Sequence, residues 1–549
     1  MTDALRLEVV EEALPAELNQ DLRNAILANP LVRTRWPNAD LWIVSLDSFD
    51  KTGPEDEPYF RAILADMAGS DVADAVGSLW DIDSVEVIPS GRARIPHDDE
   101  FGWAAEVLRG DPELARRIDA REVELYRPMP PLASVVDANG SFHRVVAVGI
   151  REIGPAGDVR HRLVGVQSAD GEVVEAAPVS EGEEAGVADG PAAAAVAVGA
   201  GSPQARVRVW RAGERLWDLA VVRPSASSGV NGSGVELRNV DYQGVRVLQR
   251  AHVPIVTVGY EDGEAARTWL SDESGFEAEG SEPVPGYRIV EGAAPRTILE
   301  RGQGGGDFRG VALWLDGEDL VLVSQLEAGW HRYVCEWRLR ADGTIQPRIG
   351  FAAVRNPRTA VAHTHHAYWR LDFDVFEREQ NQVQEHNDPT LPGQLARWHT
   401  IRYEVRRGRE PERQRQWRVK TVRAPHGYAI VPGPHDGTAD AFGAGDVWVL
   451  AHHADELDDG EGVTTDPARA RAQLDRLVSG ELVERADVVV WYGVHVQGET
   501  GVRAGPDLTP FNWRPKVERA PYEVLAPPVV PEPEDEDDDE EEDDDEEDE

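Results

Sequence analysis

The chain has 549 residues and a formal net charge of −45, and every residue from Glu532 onward except Pro533 is acidic. That balance excludes a nucleic-acid partner, which needs basic phosphate-contacting patches, and an anionic membrane surface; it suits solubility and a cationic small molecule such as an amine or polyamine, and equally a salt-adapted proteome. The single cysteine, Cys335, excludes an intrachain disulfide, while the absence of a leader pattern at Met1–Glu8 and of any run near the roughly 18 apolar residues of a membrane span points to a cytoplasmic protein.

The length allows two to four domains. Plentiful glycine (51) and proline (37) favour strands joined by turns over long helices. Leu18, Leu22, Ala25, Ile26 and Leu27 form an apolar stripe that predicts an amphipathic helix over Pro15–Asn29. A strand at Ala39–Leu46, a helical patch at about Glu57–Met67 and a strand at Ser84–Pro89 follow. The plan repeats with helices over 99–108 and 112–119 and strands at Phe142–Ile150 and His161–Val166. Two small α+β domains, 1–92 and 93–177, result.

Residues 178–204, rich in Gly, Ala, Glu and Pro with no hydrophobic period, read as a flexible linker. Short strands broken by Gly, Asp and Pro then run to about Tyr522, which predicts a large antiparallel β-sandwich over 205–525 and a mainly β chain. Ala468–Val478 is its one clear helix. Strand-like flanks around Arg406-Arg407-Gly408-Arg409 suggest a hairpin over Arg402–Val419. The acidic run 526–549 cannot bury apolar surface and is expected to be disordered.

Within the sandwich, His363-Thr364-His365-His366 leads into Tyr368-Trp369-Arg370-Leu371-Asp372-Phe373-Asp374. In a strand His363 and His365 share a face, about 7 Å apart along the backbone, a spacing that lets two imidazoles grip one metal ion. Two strand histidines with no ligand are the simpler alternative.

This strand resembles the copper-ligand strand of the copper-containing amine oxidases. Other landmarks come in the same order: Gly234–Tyr242; Gly259-Tyr260-Glu261-Asp262 with Arg267-Thr268-Trp269; Gly329…Tyr333…Trp337…Asp342-Gly343-Thr344-Ile345; Gly445–Val449; and Asp487–Trp491…His495, then Asp507…Pro510-Phe511-Asn512. The resemblance covers about 205–515. It implies His363, His365 and His495 as copper ligands. His495 stands about three residues nearer Asp487 than the family pattern, so His366, His452 and His453 are alternatives. It also implies a second cation site at Asp372, Asp374 and Asp487 with the carbonyls of Phe373 and Val488, whose oxygens suit Ca²⁺ or a similar ion; a solvated acidic strand face is the other reading. A homodimer with hairpin arms, the 402–419 segment among them, is implied as well.

The resemblance breaks where the chemistry should be. The family oxidises a tyrosine in an Asn-Tyr-Asp/Glu-Tyr run to topaquinone. Aligned on Trp337 and Asp342–Ile345, that tyrosine position holds His331, flanked by Trp330 and Arg332, and only Tyr333 remains. Topaquinone is therefore not expected. Tyr260 matches the tyrosine that hydrogen-bonds the quinone, and the catalytic base falls at Glu273, Asp272 or Ser274. His331 is expected either to reach the copper as a fourth ligand or to fill space.

Three functions follow. One is a copper-dependent oxidoreductase without a quinone, with His331, Tyr260, Glu273 and Asp272 as its catalytic candidates. The second is a non-enzymatic copper-binding or scaffold protein. The third is a primary-amine oxidase that uses Tyr333 as precursor. No Gly-x-Ser-x-Gly elbow supports a hydrolase, and no Gly-x-Gly-x-x-Gly after a strand supports a nucleotide cofactor. Cys335 reads as a buried inert thiol.

Overall fold

Side-chain alternation builds most of the molecule. In the strand Gln204–Arg211, Ala205, Val207 and Val209 are fully buried while their neighbours are half-buried, the period of a strand with one face in a core. The computed structural model describes residues 5–513 apart from 12–15, 38–40, 51–57, 67–71, 80, 82–83, 91–97, 127–133, 137–141, 154–158, 176–193, 199–201, 230, 269, 271–272, 276–284, 293, 302–307, 329–330, 354–358, 424–425, 454–455, 463–465 and 499–500. Asp272, Trp330 and the acidic run 526–549 thus lie outside the described residues.

The sandwich is mainly antiparallel. A ten-stranded sheet runs Leu5–Glu11, Gln204–Arg211, Glu214–Val222, Glu236–Tyr242, Val245–Tyr260, His363–Phe373, Val488–Gln497, Val447–Ala451 and Val405–Arg407, with Ala265–Arg267 paired to Val245–Tyr260. A twelve-stranded sheet runs Ala194–Val198, Gly286–Glu291, Gly310–Asp316, Asp319–Ala328, His331–Arg340, Ile345–Ala353, Asp507–Phe511, Gly427–Val431, Gln416–Thr421, Asn381–His386 and Trp398–Thr400, with Arg503–Ala504 paired to Ile345–Ala353. One apolar core draws side chains from both.

Buried indoles tie the two layers, since a buried N–H needs an acceptor. Trp217 donates to the carbonyl of Arg340 at 3.0 Å, and Trp337 donates to that of Val235 at 2.9 Å. Gly343, at φ 90°, turns the chain beneath Tyr242, where a Cβ would meet the ring at 2.5 Å. The strand His363–Phe373 lies in the middle of its sheet, paired on both sides and buried along nearly its whole length.

Two α+β groups precede the sandwich in sequence. The first sheet, Leu41–Asp50, Pro58–Asp66, Val72–Ser78 and Val85–Ser90, shares a core with Leu22, Ile26, Val32 and Trp36 of the helices Ala16–Ala28 and Pro30–Arg35 and the residue that follows them. The second, built on Val123–Tyr126, Phe142–Ile153, Val159–Gln167 and Val173–Glu175, packs with the helices Asp98–Arg109 and Pro112–Asp119. Asp111 starts the second of these helices by accepting from the N–H groups of Glu113 and Leu114 at 2.8 and 3.0 Å.

Several expectations need correction. The helical patch Glu57–Met67 is the strand Pro58–Asp66, in which Phe60, Ala62 and Leu64 are fully buried at period two. Leu5–Glu11 pairs with Gln204–Arg211, so a strand that precedes the helix Ala16–Ala28 belongs to the sandwich sheet. Within 178–204 the described residues include a strand, Ala194–Val198, paired with Gly286–Glu291. The helix Ala468–Val478 is one turn, Pro467–Ala470, and a 3₁₀ turn, Leu474–Leu477, because Arg471 takes an extended conformation and the N–H of Gln473 turns to the Asp459 carboxylate at 2.6 Å.

The hairpin over Arg402–Val419 does not form. Val405–Arg407 pairs in the ten-stranded sheet and Gln416–Thr421 in the twelve-stranded sheet, so the segment crosses between layers. Buried Arg409 and Arg415 pin the crossing: the first lies over the Tyr492 ring at 5.0 Å, and the second bonds Asn387 at 2.8 Å.

Candidate metal centre

His363 and His365 point to the same side of their strand, opposite Tyr260 and Val258 of the neighbouring strand. His331 arrives from the start of a strand in the other sheet. The three are almost fully buried, and one nitrogen of each lies within 4.8 Å of the others. Ring centroids are 4.9 Å apart for His331–His365, 5.2 Å for His363–His365 and 5.6 Å for His331–His363. The cluster therefore forms across the sandwich.

Its surroundings set the imidazoles in place. The carbonyl of Val361 lies 2.6 Å from His363 Nδ1, which puts the proton there and presents Nε2 to the cluster. The Phe351 ring stacks on His365 at 4.6 Å and 11°. The Tyr260 hydroxyl hydrogen-bonds His331 Nε2 at 2.7 Å. Tyr333 is fully buried with its ring 5.7 Å from that of His365. Three converging imidazoles in a buried pocket fit a copper ion by donor chemistry, with coordination positions left over.

His495 lies elsewhere. It faces His366 in register on the adjacent strand, Nδ1 to Nδ1 at 2.7 Å, whereas His363 and His365 alternate to the other face. His366 thus also points away from the trio. His452 lies 3.3 Å from Asp372 and 3.6 Å from Asp487, and His453 lies 3.1 Å from Glu481. Cys335 packs against Gly234, and burial pushes its thiol up to about 12.

Asp372, Asp374 and Asp487 form a second cluster, also within 4.8 Å. Burial works against ionised Asp372, but Arg370 and His452 hold it down at about 2. Burial, Asp372 and Asp487 together push Asp374 up to about 8. Each of the three has one buried carboxylate oxygen without a hydrogen-bond partner. Arg370 pairs with Asp372 at 3.0 Å and Arg378 with Asp487 at 2.8 Å, and the oxygens left over are hard donors of the kind that suits a cation such as Ca²⁺.

Glu273 is held by Arg223 at 2.8 Å and by the Ser225 hydroxyl at 2.9 Å, a buried ion pair outside the histidine cluster. A cleft of about 580 Å³ opens beside Tyr260 and His363, and its walls include Glu261, Glu264, His366, Asp440, Phe442 and Arg471. Asp440 was not among the sequence candidates, although Asp440-Ala441-Phe442-Gly443 carries the signal of an Asx turn. The carboxylate accepts from the N–H groups of Phe442 and Gly443 at 2.8 and 2.6 Å.

No protein-family model matches the sequence, and a search of curated proteins finds no match. The structure is similar to a copper-containing benzylamine oxidase from Hansenula polymorpha, with a TM-score of 0.52, 12% identity and 94% of each chain covered. It is similar to an Aspergillus nidulans amine oxidase, with a TM-score of 0.50, 13% identity and 92% and 89% covered. A Pichia pastoris lysyl oxidase matches at a TM-score of 0.50 and 11% identity over 92% and 90%. The chain therefore has the fold of the copper-containing amine oxidases, a mainly β sandwich with large antiparallel sheets.

Proposed function

We propose that the chain is a copper-dependent oxidoreductase on the amine oxidase fold that works without topaquinone and acts on a small cationic molecule. The observation that carries this reading is the convergence of His331, which the resemblance aligns with the quinone precursor, on His363 and His365. The ligand set we propose is these three, with His495 outside it. Copper held there supplies one-electron redox chemistry.

The protein's own groups would do the rest. Tyr260 holds His331 through its hydroxyl and can pass a proton to or from Nε2. Phe351 keeps water from His365. Glu261, Glu264 and Asp440 favour a cation in the cleft. Calcium at the aspartate cluster and a homodimer are further parts of the proposal; the dimer rests on the fold likeness alone.

Metal analysis and copper EPR on the stripped and reloaded protein test the reading. One copper per chain with imidazole superhyperfine lines is expected. His331→Ala should weaken binding by more than about 100-fold, beyond what loss of an outer partner does. Unchanged copper binding in His331→Ala would remove His331 from the set, and copper binding without turnover of amines or phenols would favour a scaffold. Because Tyr333 lies beside His365, a quinone-cycling stain on the denatured, copper-loaded chain separates this reading from a working amine oxidase. The stain should be negative.

A further inference from the structure

We propose that His366 and His495 form a second metal site, separate from the histidine trio, for one divalent transition-metal ion that prefers imidazole, entered from the cleft. The two Nδ1 atoms face each other at 2.7 Å, and both residues are buried. Behind each ring stands a carboxylate. His495 Nε2 lies 3.1 Å from Asp446 Oδ1 and 3.2 Å from the carbonyl of Gly445. His366 Nε2 lies 3.8 Å from Asp440 Oδ2 and has no hydrogen-bond partner.

Proton placement makes the metal-free pair awkward. With two acceptors at hand, His495 carries its hydrogen on Nε2, so its Nδ1 is a lone pair. His366 must then donate from Nδ1, which aims its Nε2 lone pair at the Asp440 carboxylate. A buried lone pair facing a carboxylate is unfavourable. With a metal on both Nδ1 atoms, both Nε2 atoms carry hydrogen and each faces a carboxylate. That completes the carboxylate–histidine–metal arrangement on both ligands.

The geometry needs little change. Neighbouring donors on a four-coordinate ion with bonds of about 2.0 Å stand roughly 3 Å apart. Gly443 passes close against the pair and only its lack of a side chain permits that, since a Cβ there would lie 2.3 Å from His366 Nδ1 and 2.7 Å from His495 Nδ1. Asp440 Oδ1 holds the turn over the pair and leaves Oδ2 for His366. His366 and Asp440 line the cleft, from which water would complete the coordination.

The test is zinc stoichiometry by equilibrium dialysis and mass spectrometry on the stripped full chain, in excess calcium to fill the aspartate cluster. Wild type should hold two Zn²⁺. One should remain in His363→Ala/His365→Ala, and one in His366→Ala/His495→Ala. One Zn²⁺ in wild type, lost with His363 and His365, overturns the second site and leaves the trio. One Zn²⁺ lost only with His366 and His495 supports the second site and removes the trio. Should the alanine pair not fold, X-ray absorption on the zinc-loaded His363→Ala/His365→Ala chain decides: two imidazoles in the shell support the site, and fewer overturn it. Gly443→Ala, which places a methyl against both Nδ1 atoms, should lose the second Zn²⁺ and keep the first.

Discussion

His252 is buried with its Nε2 2.8 Å from the carbonyl of Leu457. Burial pushes its pKa down to about 4, with Arg370 and Arg250 adding to the fall and Glu236 opposing it. A depressed base stabilises the fold above its unfolded value near 6.5, and that contribution is lost as pH falls through about 4. Between pH 7 and pH 4, wild type should lose about 3 kcal/mol of stability relative to His252→Asn, read from urea midpoints at each pH. Parallel pH profiles would show that His252 is not held neutral. Arg250 is near in sequence, but the burial, Arg370 and the Leu457 carbonyl come from strands and loops far along the chain.

Pro58–Asp66 shows how a segment can carry two periods. Ala62, Leu64 and Ala65 are good helix formers, yet Phe60, Ala62 and Leu64 alternate and are fully buried between two neighbouring strands. Pairing on both sides decided for the strand. Leu64→Ala should cost about 2–5 kcal/mol in the part of the unfolding that reports this first sheet, measured by hydrogen exchange of its amides. A cost under about 0.5 kcal/mol would place Leu64 outside a packed core. The helices 98–109 and 112–119 were legible because their apolar stripes, and the Asp111 cap of the second, are local. The break at Arg471 and the crossing at 402–421 were not, since each depends on a distant partner: Asp459 for one, Asn387 and Tyr492 for the other.

The aspartate cluster joins the end of the strand His363–Phe373 to the entry of the strand Val488–Gln497, so an ion there would brace two central strands of the ten-stranded sheet. Calcium at 100 times its dissociation constant should stabilise the chain by about 2.7 kcal/mol, seen as a rise of a few degrees in Tm. Asp374→Asn should abolish the rise. A Tm indifferent to calcium in wild type would remove the cation from this site. The histidine trio depends on the whole molecule more strongly still, because it needs the two sheets at one spacing, which the shared core and the Trp217 and Trp337 bonds maintain.

Alternation, turn residues and helix caps act between near neighbours, so the amino-acid order alone specified a mainly β sandwich, the second pair of helices, and the shared face of His363 and His365. The same order left the third imidazole of the candidate metal centre open among His495, His366, His452 and His453. Only the tertiary structure separated them. Strand register turned His495 and His366 to the opposite face, while the packing of two sheets brought in His331, whose nearness to His363 no spacing along the chain expresses.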